Sequence, residues 1–264
     1  MEETNITLSE QIVYGMFKPA SYKQLVSVKK GRSILYIIVM MLALCIVTFA
    51  VPAGAVITGF GGFEQLFTKN MGELKYSDGK LSLDRPFEMS FDIYNIIIDT
   101  EDEMVADEKL HRDGMNIAIG SGKLRISLVM GQNIGDYSVT KLSDIFFSDF
   151  DNDTLVSMIP TIYVSLVLMF IFTTVGLFIK YAMVTLVFCI VAQSINKSFD
   201  LKLSFGQVFM LCFYGQSLGM VLSNCNTALG LLPPTIITIL GMFISIRMVG
   251  SSLVYMKMSR DGVL

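Results

Sequence analysis

Leu155–Ile195 reads LVSMIPTIYVSLVLMFIFTTVGLFIKYAMVTLVFCIVAQSI, and Lys180 is its only charge. Forty-one residues without an acid belong in lipid or in a deep core, and as one helix they would measure roughly 60 Å, about twice a bilayer's hydrocarbon thickness. The run therefore either crosses once and continues at the cytoplasmic side, or breaks near Gly176–Lys180 and crosses twice. Three further apolar runs share its character: Ser33–Val56, 24 residues with no charge, then Ser204–Leu222, and Leu231–Met256, which carries Arg247. With 53% hydrophobic and 16% charged residues, the chain is too apolar for an ordinary soluble domain of its size.

Charge divides the chain. Between Thr58 and Val156 there are 18 acids and 9 bases, a net of −9, while the remainder carries 5 acids and 11 bases, a net of +6. One exported loop and retained short loops produce that asymmetry. Four crossings leave Lys197, Lys202, Lys257 and Arg260 all cytoplasmic, whereas five export all of them, so the bias favours four, with both termini inside. Lys180 then snorkels near the inner interface, and the chargeless turn Ser223–Gly230, with Cys225, lies outside.

The expected class is an integral membrane α-helical protein of about four transmembrane helices with an inserted small mixed α+β extracytoplasmic domain. Residues 1–32 form a cytoplasmic amphipathic segment. Thr7 and Glu10 have capping-box spacing ahead of Ile12, Val13, Met16 and Phe17, and the helix stops at Lys18-Pro19. Basic residues Lys23, Lys29, Lys30 and Arg32 beside Tyr22, Leu25 and Val26 suit an anionic inner leaflet. Residues 33–57 form the first crossing. Ala53-Gly54-Ala55 has the look of a signal-peptidase site, but the long preceding segment predicts an uncleaved anchor. Residues 58–156 form the exported domain, 157–256 the remaining crossings and 257–264 a cytoplasmic tail.

Within the exported domain, Phe63–Leu74 reads as a helix and Tyr76-Ser77-Asp78-Gly79-Lys80 as a hairpin turn. Phe91–Ile98 reads as a strand, and Asn116–Val129 as a hairpin around Gly120-Ser121-Gly122. None of the four cysteines lies in this domain, so no disulfide framework holds it.

No catalytic residues, cofactor site or metal site emerge from the pattern. Asp149, Asp151 and Asp153 have the alternate spacing that opens a calcium loop, but Thr154 and Pro160 stand where glycine and a bidentate glutamate belong. Asp153 or Thr154 instead reads as a helix cap. His111 has no second histidine or cysteine beside it. The densest acidic cluster, Asp99, Glu101, Asp102, Glu103, Asp107 and Glu108, is the candidate partner-binding surface, with an exposed loop as the plainer reading. Lys180, Gln193, Gln207, Gln216 and Arg247 are the intramembrane polar residues. The two cations read as near-terminal, and the glutamines as hydrogen-bonding between helices. Gly215 and Gly219 have a small-xxx-small spacing.

These features favour a non-enzymatic membrane-anchored accessory or sensor protein of the cytoplasmic membrane. Its partners are the bilayer and a membrane or envelope protein, with no nucleic acid. The alternative is a small homo-oligomeric transporter or channel for a neutral solute.

Phe17-Lys18-Pro19 with Tyr22, then Gly31-Arg32-Ser33-Ile34-Leu35-Tyr36, Ile96-Ile97-Ile98-Asp99-Thr100, and Leu203-Ser204-Phe205-Gly206-Gln207 ahead of Tyr214 span nearly the whole chain. On these segments the chain resembles domain-of-unknown-function family 1189, membrane proteins of low-GC Gram-positive bacteria. Some members are named for maltodextrin utilisation, which implies an accessory role near a sugar uptake system. The C-terminal half is more loosely similar to Yip1-type membrane proteins. The resemblance implies no catalytic residues.

Overall fold

The computed structural model describes residues 6–91 and 94–263. In chain order the helices are α1 Leu8–Phe17, α2 Tyr22–Leu25, α3 Lys30–Cys45, α4 Val51–Gly59, α5 Phe63–Gln65, α6 Asn152–Ser157, α7 Ile159–Ser198, α8 Phe205–Leu229 and α9 Pro234–Arg260. The strands are β1 Leu74–Ser77, β2 Lys80–Leu83, β3 Phe87–Phe91, β4 Tyr94–Ile98, β5 Asp113–Ile119, β6 Lys123–Met130, β7 Asn133–Lys141 and β8 Phe150–Asp151. They form two compact units: residues 1–52 with 167–264, and residues 53–166.

Among the described residues, four helices are long and apolar enough to cross a membrane: Lys30–Gly59, Ile159–Ser198, Phe205–Leu229 and Pro234–Arg260. The first joins α3 to α4 through a wide π turn at Ile46–Ala50. α7 runs 40 residues without interruption, so the break weighed near Gly176–Lys180 does not occur. Its single proline, Pro160, sits in the first turn, where a missing N–H costs no helical bond.

In the helical unit, Thr7 caps α1. Its Oγ1 accepts from Glu10 N–H at 3.3 Å, and the Glu10 carboxylate accepts from Thr7 N–H at 2.8 Å. α1 ends before Pro19, as its sequence predicts, but one face of it is built into the bundle. Gln11 and Gly15 are buried. The Gln11 Oε1 accepts from the Tyr214 hydroxyl at 3.0 Å, and a Cβ on Gly15 would sit 3.2 Å from both Tyr214 Cδ1 and Tyr36 Oη. Glycine is what lets α1 approach. Tyr22, Tyr36, Phe213 and Tyr214 then close an aromatic core, with Tyr36 and Tyr214 centroids 4.6 Å apart.

α8 and α9 meet through small residues. A Cβ on Gly219 would lie 2.8 Å from the Gly241 carbonyl oxygen, and one on Gly215 would lie 2.5 Å from Val249 Cγ2. The predicted turn at Ser223–Gly230 is instead mostly helix, since α8 continues to Leu229 and ends on left-handed Gly230. The asparagines of that segment are satisfied inside the unit. Asn224 Nδ2 donates to the Tyr181 hydroxyl at 2.5 Å, and Asn226 brackets Leu232, donating to its carbonyl and accepting from its N–H. Cys225 therefore lies within the last turns of α8.

The other unit holds two sheets, of order β2-β1-β8 and β3-β4-β5-β6-β7. Every pairing is antiparallel except β4 with β5. Both predicted hairpins form. Asp78 and Gly79 take positive φ between β1 and β2, and Gly120–Gly122 joins β5 to β6. The strand expected at Phe91–Ile98 divides instead between β3 and β4, which pair as neighbours with Phe91 opposite Tyr94. Residues 92 and 93 of that expected strand lie outside the described residues. The helix expected over Phe63–Leu74 ends earlier, at Asn70, through a second π turn.

Asn152 fastens β8 and α6 to the rest. It accepts from Leu74 N–H at 2.6 Å and donates to the carbonyls of Gly72, at 2.7 Å, and Phe67. The α6 cap is Asp151, two or three residues earlier than expected, and its Oδ1 accepts from Thr154 N–H at 2.9 Å.

Candidate functional site

The acidic cluster is explained first by topology. Neighbouring parallel strands cannot be joined by a tight turn, so the chain must cross over between β4 and β5. Residues 99–112 are that crossover, and they lie across one face of the sheet, burying Val105 and Leu110 on Ile97, Ala118 and Val129. Their backbone is tied to the β5–β6 hairpin. Ser121 N–H donates to Asp102 O at 2.8 Å, and Lys123 N–H to Glu103 O at 3.0 Å. A Cβ on Gly120 would come within 2.4 Å of Glu103 O, so only glycine fits there.

Four of the six candidate carboxylates close ion pairs within this unit. Lys109 Nζ lies 2.5 Å from Asp99 and 2.7 Å from Glu101, Lys123 lies 3.1 Å from Glu103, and Arg125 lies 2.5 Å from Asp107. Arg125, 4% exposed, also meets Asp136 on β7 at 2.7 Å. Asp99 is 5% exposed. Burial opposes its charge, but the Lys109 ammonium and the Glu101 N–H outweigh that and hold its carboxyl below the usual range. The bonds to Asp99 and Glu101 raise the Lys109 ammonium in turn. Asp102 and Glu108 are exposed. The cluster thus binds its own sheet before it can bind anything else.

The opposite face of the same sheet has a different character. Register sets three cross-strand rows on it: Ile98, Ile119 and Leu124; Ile96, Ile117 and Ile126; Tyr94, Met115 and Leu128. The first row packs into the core beneath β1, β2 and the turn after α5. Burial then falls off. Ile117, Ile126, Met115 and Leu128 are half-buried, Tyr94 is 39% exposed, and Met130 at the end of β6 is 65% exposed. β7 is the edge strand beside β6: on this face it sets Asn133, Gly135, Ser138 and Thr140 opposite Met130, Leu128, Ile126 and Leu124, while its exposed Ile134 and Val139 pair with Val129 and Arg125 on the crossover face. The face is thus apolar from β4 to β6 and polar where β7 borders it.

In the helical unit, Gln216 is 3% exposed and joins α8 to α7, donating to Thr185 Oγ1 at 3.1 Å. Gln207 completes the capping box of α8 with Ser204 and reaches Val26 O at 3.5 Å. Gln193 accepts from Asn196 within α7 at 3.4 Å. Neither cation lies near a helix end. Lys180 stands mid-way along α7, and Arg247 sits 13 residues from each end of α9. Lys180 is also remote from the end of the unit where Arg260 bonds the carbonyls of Phe199 and Asp200. Its neighbour Tyr181 pairs with Asn224, one turn before the end of α8, so Lys180 belongs to the α8–α9 turn side.

The sequence profile of one family, described as "Protein of unknown function (DUF1189)", matches residues 10–255. The chain belongs to the DUF1189 family. Neither a curated protein nor a solved structure matches it.

Sequence reasoning on this DUF1189 chain missed the open sheet face. Its residues alternate as any half-buried strand does, and nothing in the alternation tells a covered row from an open one. It also missed Arg125, Lys109 and Lys123 as partners of the acids, since ion pairs between distant positions follow from strand register. A crossover could be suspected only from the fourteen-residue gap between two apolar strands.

Proposed function

We propose that this DUF1189 protein is a multi-pass membrane protein with both termini cytoplasmic, whose non-enzymatic sheet unit lies outside the membrane and docks a membrane or envelope protein. Four apolar helices and the charge asymmetry support the membrane placement. The observation that carries the docking role is the open apolar face of the five-stranded sheet, from Tyr94 on β4 and Met115 on β5 to Leu128 and Met130 on β6. The acidic crossover serves that face from behind by holding β4, β5 and β6 in register. The resemblance to members named for maltodextrin utilisation makes a sugar uptake system the first place to seek the partner.

A photoreactive phenylalanine analogue at Leu128 tests the reading in native membranes, with the same analogue at exposed Lys80 on β2 as the control. A discrete adduct from position 128, absent from position 80 and lost when Met115→Asp is added, is expected. Equal labelling from both positions, or no adduct from either, would overturn the docking role.

A further inference from the structure

α7, α8 and α9 enclose a groove of about 470 Å³ in the helical unit. Its floor is Gly219 and Met220 of α8, and its walls are Val184 and Val191 of α7 and Met242 and Ile246 of α9. The closeness of Gly219 to Gly241 leaves no side chain where a wall would otherwise close over the floor. Along α7 the lining runs from Lys180 to Val191, about 16 Å of helix.

Lys180, Ser223 and Thr238 line the end nearest the α8–α9 turn, and deeper in the groove Gln216 and Ser245 donate their own hydrogen bonds to Thr185, the Cys212 carbonyl and the Gly241 carbonyl among otherwise apolar groups. Lys180 is the groove's charged group. Its ammonium lies over the Tyr181 ring, 5.1 Å from the centroid, and among the described residues it has no carboxylate partner. A lone cation against an apolar wall is costly in lipid unless an anion accompanies it. The groove thus offers a site for one cationic contact followed by a long apolar stretch.

We propose that this groove binds an anionic phospholipid, with one acyl chain lying along Val184–Val191 and the phosphate on Lys180, at the end lined by Ser223 and Thr238. The orientation is consistent with the topology above, on whose membrane placement the inference rests. The headgroup faces the α8–α9 turn and the chain points toward the middle of the bilayer, as a lipid of the outer leaflet does.

Native mass spectrometry of the full-length protein in detergent provides the test, with phosphatidylglycerol and phosphatidylcholine of identical acyl chains as probes. Preferential retention of one phosphatidylglycerol is expected. Lys180→Gln lowers that preference about fivefold, Lys180→Arg keeps it, and Val187→Trp, at a position 65% exposed and on the groove wall, removes the bound lipid without unfolding the helix. Equal retention of the two lipids, an unchanged preference in Lys180→Gln, or stronger retention of palmitate than of phosphatidylglycerol would each overturn the assignment. Alkaline carbonate washing of membranes separates the two claims. Protein that stays in the pellet while lipid selectivity fails overturns the lipid site alone, and protein released to the supernatant overturns the membrane placement beneath it.

Discussion

Asp99 keeps a negative charge at 5% exposure, and the reason lies in the Lys109 ammonium 2.5 Å away. Asp151, capping α6, is likewise held below the ordinary carboxyl value by the Thr154 N–H and hydroxyl it accepts from. A carboxyl whose folded pKa is depressed contributes stability in full above its unfolded value, here near 3.8, and loses it as pH falls through the lower folded value. The raised Lys109 works oppositely, contributing in full below its ordinary 10.5 and losing that as pH rises through its higher folded value. Calorimetric melting of the sheet unit in the intact protein is therefore expected to be flat from about pH 5 to 8 and to fall below about pH 4. Asp99→Asn should flatten part of the acid limb, and a slope already present between pH 5 and 7 would contradict the assignment. The residues carrying this effect were visible in the sequence as an acidic run, but their pairing was not. The run reads as a solvated loop because charge alone says nothing about which strand lies beneath it.

Among elements, the α8–α9 contact is the one most tightly specified. A side chain at Gly219 meets the Gly241 carbonyl and Ser245 Oγ, at 2.8 and 3.1 Å from its Cβ, whereas Gly176 on α7 faces open space. Gly219→Leu should destabilise the helical unit by about 1–3 kcal/mol, read as a lower melting temperature in detergent. Gly176→Leu should leave it unchanged, and equal effects would remove the close approach as the cause. Here the sequence was legible. The spacing of Gly215 and Gly219 announced a helix contact, and the Thr7–Glu10 box and Lys18-Pro19 bounded α1 correctly. The reading failed where polar side chains had partners it could not see. The turn expected at Ser223–Gly230 contains Asn224 and Asn226, and asparagine competes with helical bonds in isolation. With Tyr181 and Leu232 supplying partners, that competition disappears and α8 continues. β3 and β4 were merged because no Asn-Gly type signal separates them. The placement of Lys180 was misjudged for a related reason: an unbroken α7 moves it from a helix end to a helix middle.

At the scale of the whole molecule, the proposed topology places the α8–α9 turn outside and both termini inside. Cys225, half-buried near the end of α8, is the natural probe, since Cys45, Cys189 and Cys212 are buried. On a variant lacking those three thiols, a membrane-impermeant maleimide should label Cys225 in intact cells. Labelling only after permeabilisation, with a C-terminal tag accessible from outside, would reverse the arrangement. What was legible at this scale is that the four long apolar runs of the sequence become, among the described residues, four helices long and apolar enough to cross a membrane. α7 adds something that composition does not. Its large apolar side chains stay exposed from Tyr163 to Val191, about 42 Å of helix, while a typical hydrocarbon core measures about 30 Å. With Lys180 level with the outer headgroups, as the proposed lipid site has it, Tyr163–Ile179 stands about 24 Å beyond the hydrocarbon, so on the proposed topology that apolar stretch needs cover from something other than acyl chains.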